Sequence, residues 1–160
     1  GVGDPKANLL LVGEAPGVDE DRLGEPFVGR AGKLLDKILA AIHLNRTKGV
    51  YICNVLKCRP PNNRDPLPSE VDQCEPYLQH QIRLIKPQLI VALGRVAGKT
   101  LLKQDIPLKA MREKIYHYEE IPLIVTYHPA ALLRNSGFKA PTWKDFQWIQ
   151  SILDGKTNIG

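Results

Sequence analysis

The sequence predicts an α/β protein, a three-layer α/β/α sandwich around a central four-stranded, mainly parallel sheet. Three observations carry this expectation. Four short apolar runs punctuate the chain, unbroken rather than alternating, as strands covered on both faces require. Segments of helical periodicity separate them, and strand–helix alternation favours parallel strands joined by right-handed crossovers. More than half of the glycine, proline and asparagine, together with His128, lies in the loops after those runs, where an open α/β sheet presents its functional loops.

The first strand is expected at Leu9–Val12, running into Gly13-Glu14-Ala15-Pro16-Gly17. A helix over Ala31–Ile42 follows, because Leu34, Leu35, Ile38, Leu39 and Ile42 fall on one side of a 3.6-residue repeat. The second strand is Val50–Asn54. Ser69 reads as the N-cap of a helix running to Ile85 and ended by Pro87. The third strand, Leu89–Leu93, leads into a shorter helix over Arg95–Leu102. The fourth, Leu123–Tyr127, leads into His128-Pro129, and a helix over Trp143–Leu153 closes the chain. No repeat, low-complexity tract or linker interrupts this order.

At 160 residues the chain fits one domain with a sizeable core. Its formal net charge of +5 permits a polyanionic partner without demanding one. No apolar run approaches the roughly 20 residues of a membrane span, and the first residues do not read as a signal peptide. A cytoplasmic monomer that uses no membrane is therefore expected. Three cysteines are too few, and odd in number, for a disulfide framework.

The loop Gly13–Gly17 follows a strand, as a phosphate loop would. A P-loop needs a Lys-Ser/Thr pair after its glycines, and a dinucleotide site needs G-x-G-x-x-G. Neither is present, and Glu14, Asp19, Glu20 and Asp21 would repel a phosphate. Glu14 is better suited to holding water or accepting a polar hydrogen, beside glycines whose amides can approach a ligand closely; otherwise it is a solvated loop carboxylate. His128 at the end of the fourth strand has the equipment to donate to a developing negative charge, although a loop histidine is more often structural. Asn54 carries both a donor and an acceptor, enough to read a pyrimidine edge, or it is a turn residue. Phe27 by itself reads as core. His43, His80 and His117 have no comparable context and read as surface residues.

Three stretches, "GEAPGVDEDRLGEPFVGRAGKLL", "NVLKCRPPNNRDP" and "HPAALLR", together resemble the family 4 uracil-DNA glycosylases, the bacterial and archaeal iron–sulfur type. The match runs in order through nearly the whole chain. The resemblance implies a single glycosylase domain over 1–160 that removes uracil from uracil-containing DNA, releasing free uracil and leaving an abasic site. Such an enzyme extrudes its target base from the duplex into a pocket. As the glycosidic bond stretches, the uracil becomes an anion and the sugar cation-like, so the protein must stabilise the first and supply a positioned water to the second.

By the same resemblance, His128 hydrogen-bonds the uracil oxygen as charge builds there, and one such preset donor is worth about 2.7–4 kcal/mol. Asn54 reads the uracil edge and discriminates against cytosine, whose donor pattern would leave buried groups unpaired. Phe27 stacks on the extruded ring, a contact worth about 1–3 kcal/mol. Gly13, Ala15 and Gly17 shape the turn beside the base. The best-known uracil glycosylases carry a water-orienting aspartate at the position of Ala15, so that role falls to Glu14 or Asn63. Leu132 or Leu133 is the wedge that fills the gap left by the base, the other being core, and Arg134 lies against phosphate. Lys57, Arg59, Arg64 and Arg95 occupy the same loops and would make affinity fall with salt.

Cys58 and Cys74 match two ligands of the family's [4Fe-4S] cluster. The family's other two come from an amino-terminal Cys-x-x-Cys that the 160 residues do not contain. Either the sequence is cut short at its start, and a cluster is implied for the complete protein, or the chain is a variant that lacks the cluster; the retained spacing of Cys58 and Cys74 favours the first. Cys53, at the end of a buried strand, reads as a core residue rather than a third ligand. Two other readings stay open: a superfamily relative with broader preference among deaminated bases, and a non-catalytic DNA-binding module on the same scaffold.

Overall fold

A computed structural model describes residues 2–14, 29–55 and 68–156. The strands are β1 (Val2–Gly3), β2 (Leu9–Gly13), β3 (Val50–Asn54), β4 (Leu89–Leu93), β5 (Tyr116–Tyr118) and β6 (Ile121–Thr126). The helices are α1 (Arg30–Ala41), α2 (Pro68–Ile85), α3 (Arg95–Leu102), α4 (Leu108–Met111), α5 (Pro129–Arg134) and α6 (Lys139–Leu153), with a 3-10 turn at Ser136–Phe138. The sheet order is β1-β3-β2-β4-β6-β5. Its centre, β3-β2-β4-β6, is parallel throughout, and these are the four strands the apolar runs predict.

The sheet is wider than expected by two edge strands, both antiparallel: β1 on β3 and β5 on β6. Each is too short for its own hydrophobic pattern. The β5–β6 hairpin also turns through Glu119 and Glu120, at φ 51° and 68°, the geometry of a two-residue turn that ordinarily selects Asn-Gly. Several boundaries also shift, most by one or two residues. Strand β6 ends at Thr126 rather than Tyr127; α2 begins at Pro68, where a proline suits the first helical position; and α6 begins at Lys139, four residues before the first of its tryptophans.

Because side chains alternate across a strand, each run feeds two cores. Leu9, Leu11, Val50, Ile52, Leu89 and Val91 pack against Leu35 and Leu39 of α1 and Phe146, Ile149 and Ile152 of α6. Leu10, Val12, Ile90, Ala92, Leu123 and Val125 pack against Leu78 and Ile82 of α2 and Ala97 and Leu101 of α3. Cys53 belongs to the second cluster at 1% exposure, its thiol 3.8 Å from the carbonyl of Leu11, as the sequence reading expects. This covering on both faces explains why the central strands lack polar alternation.

The connections place the functional edge. From β2 the chain passes through α1 to β3 on one side, then through α2 to β4 on the other side of β2. The strand order therefore reverses between β2 and β4, and ligands of such sheets bind outside the carboxyl ends of the strands at that switch point.

Candidate active site

All four parallel strands deliver their carboxyl ends to the same edge. Gly13 and Asn54 are register partners, and the amide of Val55 donates to the carbonyl of Gly13 at 2.8 Å. On the other side of the switch point, the amide of Gly94 donates to the carbonyl of Thr126 at 2.8 Å. Glu14 follows β2, Asn54 ends β3, Gly94 follows β4 and His128 follows β6 by two residues. The ends of β3 and β6 lie three strand spacings apart, about 14 Å. Glu14, Asn54 and His128 are all half-buried.

His128 is held by its own helix. It is the N-cap of α5, and its Nδ1 accepts from the backbone N–H of Ala130 at 3.0 Å. An accepting Nδ1 carries no proton, so the neutral ring must carry its proton on Nε2. Burial, and secondarily the positive charge of Arg134, push the His128 pKa from 6.5 down to about 4. At neutral pH the ring is therefore an uncharged Nε2–H donor. Gly94 presses against it from β4: at φ 96° and ψ 167° Gly94 occupies a conformation essentially restricted to glycine. A Cβ there would lie 3.1 Å from the His128 Cβ. The sequence places this glycine just past a strand, which is the signal that could have marked it.

Helix α5 separates the two candidate wedge residues. Leu132 is buried at 4% exposure, whereas Leu133 is 41% exposed, so Leu132 packs as core and Leu133 presents its side chain to solvent. Arg134, in the last turn of α5, is exposed. Arg95 opens α3 beside Gly94, and its Nη1 lies 3.6 Å from Asp105. His43, His80 and His117 are exposed, as expected of surface residues. Ala15, Gly17, Phe27, Lys57, Cys58, Arg59, Asn63 and Arg64 lie outside the described residues.

Cys74 is a half-buried free thiol on α2. Its neighbour Glu75 is buried and ties α2 to the rest of the molecule: its carboxylate accepts from the Tyr118 hydroxyl at 2.9 Å and from Lys103 Nζ at 2.7 and 2.6 Å. Among the described residues no three His, Cys, Asp or Glu side chains gather as a metal site. None of the described helices is long and apolar enough to cross a membrane.

A parallel sheet with donors, acceptors and glycines converging at its switch point defines an α/β protein built to hold a small polar ligand at its carboxyl edge. The family model described as the uracil DNA glycosylase superfamily matches residues 1–150. The type-4 uracil-DNA glycosylase of Archaeoglobus fulgidus is 46% identical over 98% of this chain and 82% of its own length. Those of Sulfurisphaera tokodaii and Pyrobaculum aerophilum are 43% and 42% identical, over 95% and 91% of this chain and 73% and 78% of theirs. The chain belongs to the uracil DNA glycosylase superfamily and, within it, to the type-4 family.

Proposed function

We propose that this protein is a monofunctional uracil-DNA glycosylase, in which the switch-point edge holds an extruded uracil and hydrolyses its bond to deoxyribose. The observation that carries the reading is His128, a neutral donor whose acceptor nitrogen is already occupied by Ala130. A leaving uracil needs stabilisation of negative charge on a ring oxygen. An Nε2–H held this way supplies it with little reorganisation, because the imidazole is oriented before the charge appears. Asn54 satisfies the ring N–H and the adjacent carbonyl together. Phe27 stacks on the ring, and Ala15 and Gly17 complete the turn that begins at Gly13.

The bond from C1′ to the base nitrogen breaks with its electrons on uracil, and a water oxygen bonds to C1′. One proton of that water passes through solvent to the departing base, so the products are free uracil and an abasic site. Glu14 or Asn63 orients the water; loss of both side chains with unchanged single-turnover excision would remove both from that role. Leu133 rather than Leu132 enters the duplex gap, and Arg134 meets phosphate. We place the enzyme in the cytoplasm as a monomer acting in base excision repair.

The type-4 relationship makes an iron–sulfur cluster the expected cofactor. The donor chemistry suits it: Cys74 is an accessible thiol on a well-anchored helix, and Cys58 supplies a second. Cys53 is committed to the core, so the remaining ligands lie outside these residues. When bound, a cluster would act structurally, joining the segment at Cys58 to α2, with no part in the chemical step. Cys74→Ser in the full-length protein should lower iron per chain and bleach the brown colour.

The deciding assay is incubation with a uracil-containing oligonucleotide followed by alkaline cleavage at abasic sites, beside a matched thymine control. Strand scission at uracil alone supports the reading. Binding without release of free uracil would leave a non-catalytic module in its place.

A further inference from the structure

The carboxyl end of β6 is fastened by a buried charge network that the reaction described above does not use. Arg112, which follows α4, donates from Nε and Nη2 to the two oxygens of Asp145 on α6, both at 2.9 Å. The hydroxyl of Thr126, the last residue of β6, donates to Asp145 Oδ2 at 2.6 Å. Arg112 Nη2 also donates to the carbonyl of Pro141 at 3.2 Å. Thr126 is fully buried, Asp145 is 3% exposed and Arg112 is 9% exposed. The next residue, Tyr127, is held as well: the Arg112 guanidinium lies 5.0 Å from its ring centroid, and Phe138 stacks on it at 4.5 Å.

A buried ion pair is weak evidence for stability, since well-packed apolar residues often do as well. What this one supplies is direction. The two residues immediately before His128 are fixed by a side-chain hydroxyl, by the Thr126 carbonyl that accepts from Gly94, and by ring contacts. His128 then has few ways to leave the line set by Ala130.

We propose that Asp145, gripped by Arg112 and bonded to Thr126, is a positioning residue that fixes the His128 imidazole through the end of β6. This rests on the glycosylase reading for its catalytic consequence, but not for its structural one. Asp145 touches neither substrate nor reacting atoms. Its effect belongs in the chemical step and in the state of the His128 ring, not in DNA affinity.

The test pairs Thr126→Val, which removes the hydroxyl while leaving the Arg112–Asp145 pair and the residue's shape, with Thr126→Ser, which keeps the hydroxyl. Asp145→Asn is the stronger perturbation; if it gives no cooperative melt, Thr126→Val alone decides. Folding is followed by thermal melts, DNA affinity by titration with a uracil oligonucleotide, chemistry by single-turnover excision, and the His128 tautomer by imidazole nitrogen NMR. In folded Thr126→Val, we expect excision to slow about tenfold or more, as a small misplacement of a reacting group does. DNA affinity should be unchanged, and the Nε2–H signal of His128 should shift or broaden. Thr126→Ser should restore both. In a His128→Ala background, Thr126→Val should cost nothing further. The proposal is overturned if folded Thr126→Val excises at the parent rate with an unaltered His128 spectrum, or if its loss is equally large without the imidazole. A parent protein that releases no uracil would defeat the glycosylase reading, while the NMR comparison would still judge the positioning claim.

Discussion

Acidification tests whether His128 works as a neutral donor. Its pKa is pushed from 6.5 down to about 4, by burial first and by Arg134 second. The folded state thus resists protonation that the unfolded chain accepts. The associated stability is fully present above pH 6.5 and is lost as pH falls toward 4, because the unfolded state binds the proton first. The displacement from 6.5 to about 4 corresponds to at most about 3 to 4 kcal/mol, at roughly 1.4 kcal/mol per unit. At pH 5 a histidine of ordinary pKa would be almost wholly imidazolium, whereas one near 4 remains about nine-tenths neutral. Single-turnover excision should therefore show no His128-dependent loss between pH 8 and pH 5 and should fall only near pH 4. An NMR titration of the free protein would assign that midpoint to His128, and His128→Ala should abolish it. Arg134→Gln should move the midpoint upward, and only modestly, because burial is the larger cause. An NMR midpoint near 6.5 would refute the argument, since the ring would then be a substantial imidazolium population in the physiological range and Ala130 could not be donating to its Nδ1.

Other outcomes follow from the same edge. Gly94→Ala forces a side chain into a backbone region that costs about 1–3 kcal/mol and places its Cβ 3.1 Å from that of His128; thermal stability and excision rate should both fall, with DNA affinity spared. Leu133→Ala, at an exposed position, should leave the melting temperature nearly unchanged, within about 0.5 kcal/mol, yet slow excision from duplex more than from single-stranded DNA. Leu132→Ala should instead destabilise the fold by about 2–5 kcal/mol, as loss of a buried leucine does; equal effects of the two on stability would undo their assignment. Cys74→Ser should reduce bound iron in full-length protein without altering the His128 titration, and an unchanged iron content would remove Cys74 from the ligand set.

How much of this was legible in the sequence depended on whether the signal was local. The central strands announced themselves because burial on both faces leaves an unbroken apolar run, and their carboxyl ends named Gly13, Asn54 and His128 directly. The β5–β6 hairpin did not announce itself, since its turn puts two glutamates at positive φ where a sequence reader looks for Asn-Gly. Helix α5 was hidden in what reads as a loop, because six residues opening on Pro129 are too few for a periodic pattern. The choice between Leu132 and Leu133 was likewise closed to sequence; adjacent residues on a short helix differ only by the face the rest of the fold selects. Least legible was Asp145. In "TWKDFQWIQ" it reads as a solvated helix carboxylate, and its partner Arg112 lies 33 residues away. Only the meeting of α4, α6 and β6 makes them a pair.

That meeting bears on how His128 is oriented, its neutrality being set by burial and by Arg134. A carboxylate buried at the end of β6 without a partner would be costly to the fold. The bidentate bonds from Arg112 offset the charge of Asp145 within hydrogen-bond distance, and its Oδ2 also accepts from the Thr126 hydroxyl. The network reaching β6 is therefore rigid yet close to electrically neutral. Asp145 contributes orientation through Thr126, two residues before the ring. An apolar replacement of the whole network could match its packing, but it would leave the Thr126 hydroxyl without an acceptor and Tyr127 without its cation. An oriented donor at this edge calls for both members of the pair: the carboxylate to direct the strand end through Thr126, and the guanidinium to keep that carboxylate from being left buried and unpaired.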